Sequence, residues 1–107
     1  MASLWLARVR HDLVKRLLWP ARDRRDVGGA PAPGELLPAL IDDEGRATTA
    51  AALWSALRRE APAGAPIEGF TEALGRAVAA AEAGDVNGVL SLEAAFDELA
   101  RSLEGPG

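Results

Sequence analysis

The chain has 107 residues, which suits a single domain with one modest hydrophobic core. Hydrophobic residues make up 49% of it and charged residues 26%, a composition typical of a globular rather than a disordered protein. The absence of cysteine excludes a disulfide-stabilised scaffold, a thiolate metal site and cysteine catalysis.

The composition also bears on localisation. No segment reaches the roughly 18 consecutive apolar residues that a membrane span needs. Charged residues interrupt the first apolar segment, so it does not match a secretory signal. Lys15 is the single lysine among many arginines, and alanine is abundant, which is typical of a GC-rich bacterial genome. We expect a soluble, cytoplasmic, bacterial protein.

The net charge of −4 is unevenly distributed. Residues 1–26 hold seven basic and three acidic side chains, a net charge of +4, whereas the remaining 81 residues carry −8. Such asymmetry can mark a basic arm that binds a partner. The alternative, which we favour, is that the basic segment packs on the acidic remainder and the charges pair within the chain.

The first predicted helix begins at Ser3 as N-cap and ends near Trp19, because Pro20 disfavours helical geometry in the preceding residue. An apolar stripe recurs at spacings of three and four, with a polar face opposite. The stripe consists of Leu6, Val9, Leu13 and Leu17, widened by Val14 and Leu18. The polar face carries Arg8, His11, Asp12, Lys15 and Arg16.

Glycine and proline divide the chain into three parts. Residues 1–26 form a basic amphipathic helix with a charged tail, residues 27–34 a Gly/Pro linker, and residues 35–107 an acidic helical domain. Within the domain, residues 35–41 fit either a short helix containing Pro38 or a packed irregular loop, and residues 42–45 form a turn.

Three further helices are predicted after that turn. Thr48 or Thr49 caps one that runs to about Glu60, Pro66 opens the next, and Gly84 ends it. Asp85 caps the last helix, which the Gly105–Pro106 pair stops. The short Gly84–Asp85 connection requires an antiparallel helical hairpin. No stretch alternates with period two, so the predicted fold is all-α, a small bundle of about four helices.

The last helix carries a regular apolar stripe, which consists of Val89, Leu92, Phe96, Leu99 and Leu103. This spacing could form a coiled-coil seam in a homodimer. Because the run is short and a hairpin partner lies next to it in sequence, we favour burial within the chain.

No motif for catalysis, metal binding or phosphate binding is present. Residues 42–45 are rich in carboxylates, but their glycine falls at the wrong position for an EF-hand loop. His11 has neither a nucleophile nor a sufficient ligand set in the sequence. Gly28, Gly29 and Gly34 lie in the Pro-rich linker and not between a strand and a helix. We therefore expect no enzyme activity, no metal and no cofactor.

The three tryptophans are the most informative side chains for binding, because tryptophan is enriched in interface hot spots and at lipid headgroups. We assign Trp54 to the core. Trp19 lies among polar side chains and is the better candidate for a contact surface. Trp5 lies at the border of the apolar stripe.

These observations predict a non-enzymatic helical adaptor or regulatory subunit that binds a partner protein, acidic on its contact surface. The predicted partner-binding residues are Trp5, Arg8, Lys15, Arg16, Trp19, Arg22, Arg24 and Arg25. The alternative is peripheral attachment to a membrane surface through the basic amphipathic helix. We do not expect nucleic-acid binding, because the isoelectric point is near 4.9 and no stacking platform is recognisable.

Overall fold

A computed structural model describes residues 2–104 and, within them, the side chains of residues 4–103. The chain forms α1 (Ala2–Val9), a π-helical segment (Arg10–Val14), α2 (Lys15–Val27), β1 (Leu40–Ile41), β2 (Ala47–Thr48), α3 (Ala50–Arg58), α4 (Ile67–Ala83), α5 (Val86–Leu90) and α6 (Leu92–Glu104). The all-α prediction is confirmed, with one small hairpin added. The predicted stop at Gly105–Pro106 lies outside the described residues.

The first three elements form one continuous N-terminal helix, residues 2–27. The prediction that it ends near Trp19 is wrong, because the helix continues through Pro20 to Val27. Proline removes one backbone hydrogen bond from a helix interior. Burial of Leu18 and Ala21 on either side of Pro20 offsets that loss.

The π-helical segment keeps the buried side of the N-terminal helix in register. Four-residue steps advance by about 40° each around an α-helix, so residues at that spacing drift off one face. The backbone N–H of Lys15 bonds to the carbonyl of Arg10, five residues earlier, and this wider turn absorbs the extra residue. As a result Trp5, Val9 and Leu13 are all buried.

The region from Gly28 to Ala39 is irregular, so the packed loop is the correct alternative for residues 35–38. Leu36 is buried, and the backbone N–H of Gly34 bonds to the carbonyl of Glu82 near the end of α4. The two short strands that follow pair antiparallel, Leu40 with Thr48, around a turn at residues 42–46. Two residues per strand are too few for a visible alternating pattern, so the sequence does not reveal them.

Local capping chemistry fixes the ends of α3 and α4. The Thr49 hydroxyl accepts a hydrogen bond from the Ala52 N–H at 3.1 Å, and α3 ends at Arg58, two residues earlier than predicted. Gly84 adopts the left-handed conformation with φ of 77° after α4. The Asp85 carboxylate then accepts from the Gly88 N–H at 3.1 Å, as predicted for the start of the last helix.

The predicted last helix is bent into α5 and α6 at Ser91, whose hydroxyl donates to the Gly88 carbonyl at 2.7 Å. Both parts pack on α4, and α5 also packs on α2. The α4–α5 contact is close, because a Cβ at Gly88 would lie 2.6 Å from the Ala80 Cβ. The hairpin therefore pairs its apolar side within the chain, where Val89, Leu92, Phe96 and Leu99 are buried.

Candidate interaction surface

The N-terminal helix lies on the acidic remainder of the chain through several ion pairs. The Arg8 guanidinium lies 2.8 Å from the Glu60 carboxylate. Arg22 pairs with Glu93, which also lies 3.8 Å from Arg10. These pairs are partly exposed, so each contributes little to stability. They pair part of the positive charge of residues 1–26 with carboxylates of the acidic remainder.

Two more of the predicted partner-binding arginines have neighbours within the chain. Arg24 pairs with Glu35 in the loop, and the Glu35 carboxylate also accepts from the Ala32 N–H. Arg25 lies 3.8 Å from the adjacent Asp26 carboxylate. With Arg8 and Arg22 similarly engaged, most of the predicted basic surface binds the chain itself.

The structure buries one predicted partner-binding residue. The Trp5 side chain is 5% exposed, and its indole N–H donates to the Leu57 carbonyl at 2.7 Å. It also lies against Trp54, with ring centroids 6.0 Å apart. Trp5 is a core residue and is not available to a partner on the folded chain. The sequence placed it only at the border of the stripe, because an ideal α-helical projection ignores the π-helical segment.

Trp19 differs from the other two tryptophans because it lies on the surface, with 58% of the residue exposed. Lys15 and Arg16 lie one helical turn before it on α2, so the three side chains share one region of the helix surface. Within the described side chains, Lys15 and Arg16 form no ion pair. We call Lys15, Arg16 and Trp19 the Trp19 surface.

A shallow groove of about 270 Å³ lies beside the Trp19 surface. Its apolar part consists of Pro20, Val27 and Leu36, and its charged lining consists of Asp23 and the Arg24–Glu35 pair. Val27 is 81% exposed. Trp19 does not line the groove, but Asp23, one helical turn after Trp19 on α2, does, so the exposed indole lies near this end of the groove.

A second groove lies between α3 and α4 and has a volume of about 330 Å³. Its accessible apolar lining consists of Ala51, Gly75 and Val78, whereas Trp54 and Leu74 lie beneath them and are only 2% and 3% exposed. Ser55 and Arg58 lie on its α3 side. We call it the α3–α4 groove. The sequence predicted Trp54 as a core residue but did not show that a depression lies above it.

The carboxylate-rich turn at residues 42–46 is organised by its own backbone. The Asp42 carboxylate accepts hydrogen bonds from the Arg46 and Glu44 N–H groups, both at 2.9 Å. The Arg46 bond is the main reason that the pKa of Asp42 lies below its usual value. Among the described residues, no group of three or more His, Cys, Asp or Glu side chains could hold a metal ion.

His11 lies on the surface of the π-helical segment. Its Nδ1 lies 3.1 Å from the Asp12 carboxylate, although an ideal helix would direct the two side chains about 100° apart. Both groups face solvent without a nucleophile beside them. Within residues 4–103, no buried side-chain nitrogen or oxygen lacks a hydrogen-bond partner.

Comparison with known protein families, curated proteins and solved structures found no match to this chain. Within residues 2–104, no helix is both long enough and apolar enough to cross a membrane.

Proposed function

We propose that the chain is a non-enzymatic adaptor or regulatory subunit of the bacterial cytoplasm that binds a partner protein through the Trp19 surface. The observation that carries the proposal is the exposure of Trp19 beside two cations that have no ion-pair partner among the described side chains. A large exposed indole is costly to leave in water and is a common anchor of protein interfaces.

The charges around Trp19 favour an acidic contact surface on the partner. The chain as a whole carries −4, so an acidic partner is repelled by most of its surface. Lys15 and Arg16 place two positive charges beside Trp19, although Asp12 and Asp23 lie within one helical turn of this surface. Complementary local charge orients an encounter and increases its rate. The adjoining groove at Pro20 and Val27 could accept an apolar side chain of the partner.

Burial of the apolar stripe favours a protein partner over a membrane surface. An amphipathic helix binds a bilayer by inserting its apolar face, and on the N-terminal helix that face consists of buried residues such as Val9, Leu13 and Leu17. The same reasoning disfavours homodimerisation through the last helix, since Leu92 and Leu99 are buried within the chain.

Site-specific photocrosslinking in the native host tests the proposal. Benzoylphenylalanine at the position of Trp19 should give a discrete adduct with one protein, which mass spectrometry then identifies. The same residue at the position of Ile41 is the control, because Ile41 is also exposed, at 54%, but lies on the small hairpin. No adduct at position 19, or the same adducts at both positions, would refute the assigned surface.

A charge reversal tests the electrostatic part. Lys15→Glu with Arg16→Glu should greatly reduce the adduct at position 19. Arg59→Glu with Arg101→Glu introduces the same change in net charge at exposed positions elsewhere and should leave the adduct unchanged. Equal adduct yields from the two double variants would show that the partner does not contact Lys15 and Arg16.

A further inference from the structure

The α3–α4 groove has the chemical character of a small-ligand site and lies outside the Trp19 surface. Small-molecule sites are mostly apolar depressions of about 300–1,000 Å³ with a few polar groups that orient the ligand. The volume of about 330 Å³ is at the lower end of that range, so the groove suits a ligand with a short apolar tail.

Gly75 lines the groove, and packing of the helices does not require a glycine there. A Cβ at Gly75 would meet no heavy atom within 4 Å. Glycine in the middle of a helix is less favourable than alanine by about 1 kcal/mol. The position therefore leaves space in the groove at some cost to the stability of α4.

The polar groups of the groove are of two kinds. The Thr49 hydroxyl caps α3, and the Thr71 hydroxyl accepts from the Trp54 indole N–H at 2.6 Å and donates to the Ile67 carbonyl. Ser55 and Arg58 form no hydrogen bond or ion pair within the described side chains. They are three residues apart on α3 and so lie on the same side of that helix.

We propose that the α3–α4 groove binds a small amphipathic carboxylate, such as a medium-chain fatty acid. The apolar tail packs against Ala51 and Val78, above the buried Trp54, and the Arg58 guanidinium and the Ser55 hydroxyl donate hydrogen bonds to the carboxylate. No acidic side chain lines the groove, so nothing there opposes the negative charge of the ligand. Arginine matches carboxylate geometry particularly well because it donates two parallel hydrogen bonds.

Titration of the full chain with octanoate tests the site, with the indole N–H signals in a nitrogen–proton NMR spectrum as the readout. The signal of Trp54 is identified by comparison with Trp5→Phe and Trp19→Phe. It should shift saturably while the Trp19 signal stays in place, because the Trp54 indole N–H donates to Thr71, which lines the groove that the ligand enters. Octan-1-ol has the same tail length without the charge and should bind several-fold more weakly. Equal binding of the two probes, or no saturable shift with octanoate, would overturn the proposal.

Two matched pairs of variants locate the ligand. Arg58→Gln should weaken octanoate binding about fivefold, the effect of one exposed charge pair, whereas Arg59→Gln should have no effect.

Gly75→Leu should fill the groove and abolish binding. Gly69→Leu places the same side chain on the same helix, also where a Cβ meets no heavy atom within 4 Å, and should retain binding. Binding that persists in Gly75→Leu, or that both arginine variants weaken equally, would refute the assigned groove.

Discussion

The substitution Trp5→Ala tests whether the N-terminal helix is part of the core or a detachable arm. The Trp5 side chain is 5% exposed, contacts Trp54 and donates a hydrogen bond to the Leu57 carbonyl. A buried tryptophan removes about 200 Å² from water, and at about 25 cal/mol per Å² this gives an upper bound of about 5 kcal/mol. Because alanine retains part of the burial, we expect a loss of about 3–5 kcal/mol in the free energy of unfolding.

Thermal and urea unfolding, followed by circular dichroism, measures this loss. In a domain of about 100 residues each kcal/mol shifts the Tm by about 4–8 °C, so Trp5→Ala should lower the Tm by about 12 °C or more. Trp5→Phe keeps an aromatic ring but removes the indole N–H, and should cost about 1–2 kcal/mol.

Leu4→Ala is the control, because Leu4 is adjacent but 68% exposed, and it should change stability by about 0.5 kcal/mol or less. If Trp5→Ala were as stable as Leu4→Ala, the N-terminal helix would not pack on α3 as described. The apolar stripe would then be free, and membrane attachment would again be a competing function.

Three further predictions concern local features of the fold. Gly88→Ala should lower the free energy of unfolding by about 1–3 kcal/mol, because the added Cβ collides with α4. Gly75→Ala should raise the free energy of unfolding by up to about 1 kcal/mol, because its Cβ meets no heavy atom and alanine favours the helix. Urea unfolding measures both changes, and two changes of the same sign would contradict the prediction. Thr49→Ala removes the cap of α3 and should cost about 1 kcal/mol in the same assay, and Thr48→Ala, which leaves the cap in place, should cost clearly less. The pKa of Asp42 in the folded chain lies below its usual value of 3.8, so the Asp42 carboxylate stabilises the turn above pH 3.8, and this stabilisation is lost as the pH falls through the folded-state pKa. The amide NMR signals of residues 44 and 46 should shift as the stabilisation is lost. Amide signals that stay unchanged in acid would contradict the prediction.

Much of the local architecture could be predicted because single residues carry it. Thr49, Gly84 and Asp85 each cap or end a helix through one hydrogen bond or one backbone conformation. The apolar spacing of Leu92, Phe96 and Leu99 correctly identified the buried side of α6. These features depend on neighbours within about four residues, so the sequence contains the whole cause.

The N-terminal helix could not be predicted as well. The local preference of Pro20 to end a helix is outweighed by burial on both sides of it, and the π-helical segment shifts the register that brings Trp5 into the core. Both outcomes depend on contacts of the helix with α3 and α5, which join residues far apart in the sequence. The bond from Trp5 to Leu57, for example, spans 52 positions.

The candidate sites show the same division. Composition, charge asymmetry and the helix pattern determined an all-α chain with a basic first helix, and they singled out Trp19 as a contact residue. Only the tertiary structure decided which of the cations are engaged within the chain, with Arg8, Arg22 and Arg24 paired and Lys15 and Arg16 left beside Trp19. It also decided that a groove opens between α3 and α4. The physical reason is that helix formation follows from local backbone and side-chain preferences, whereas ion pairs and grooves follow from how the finished helices approach one another in space.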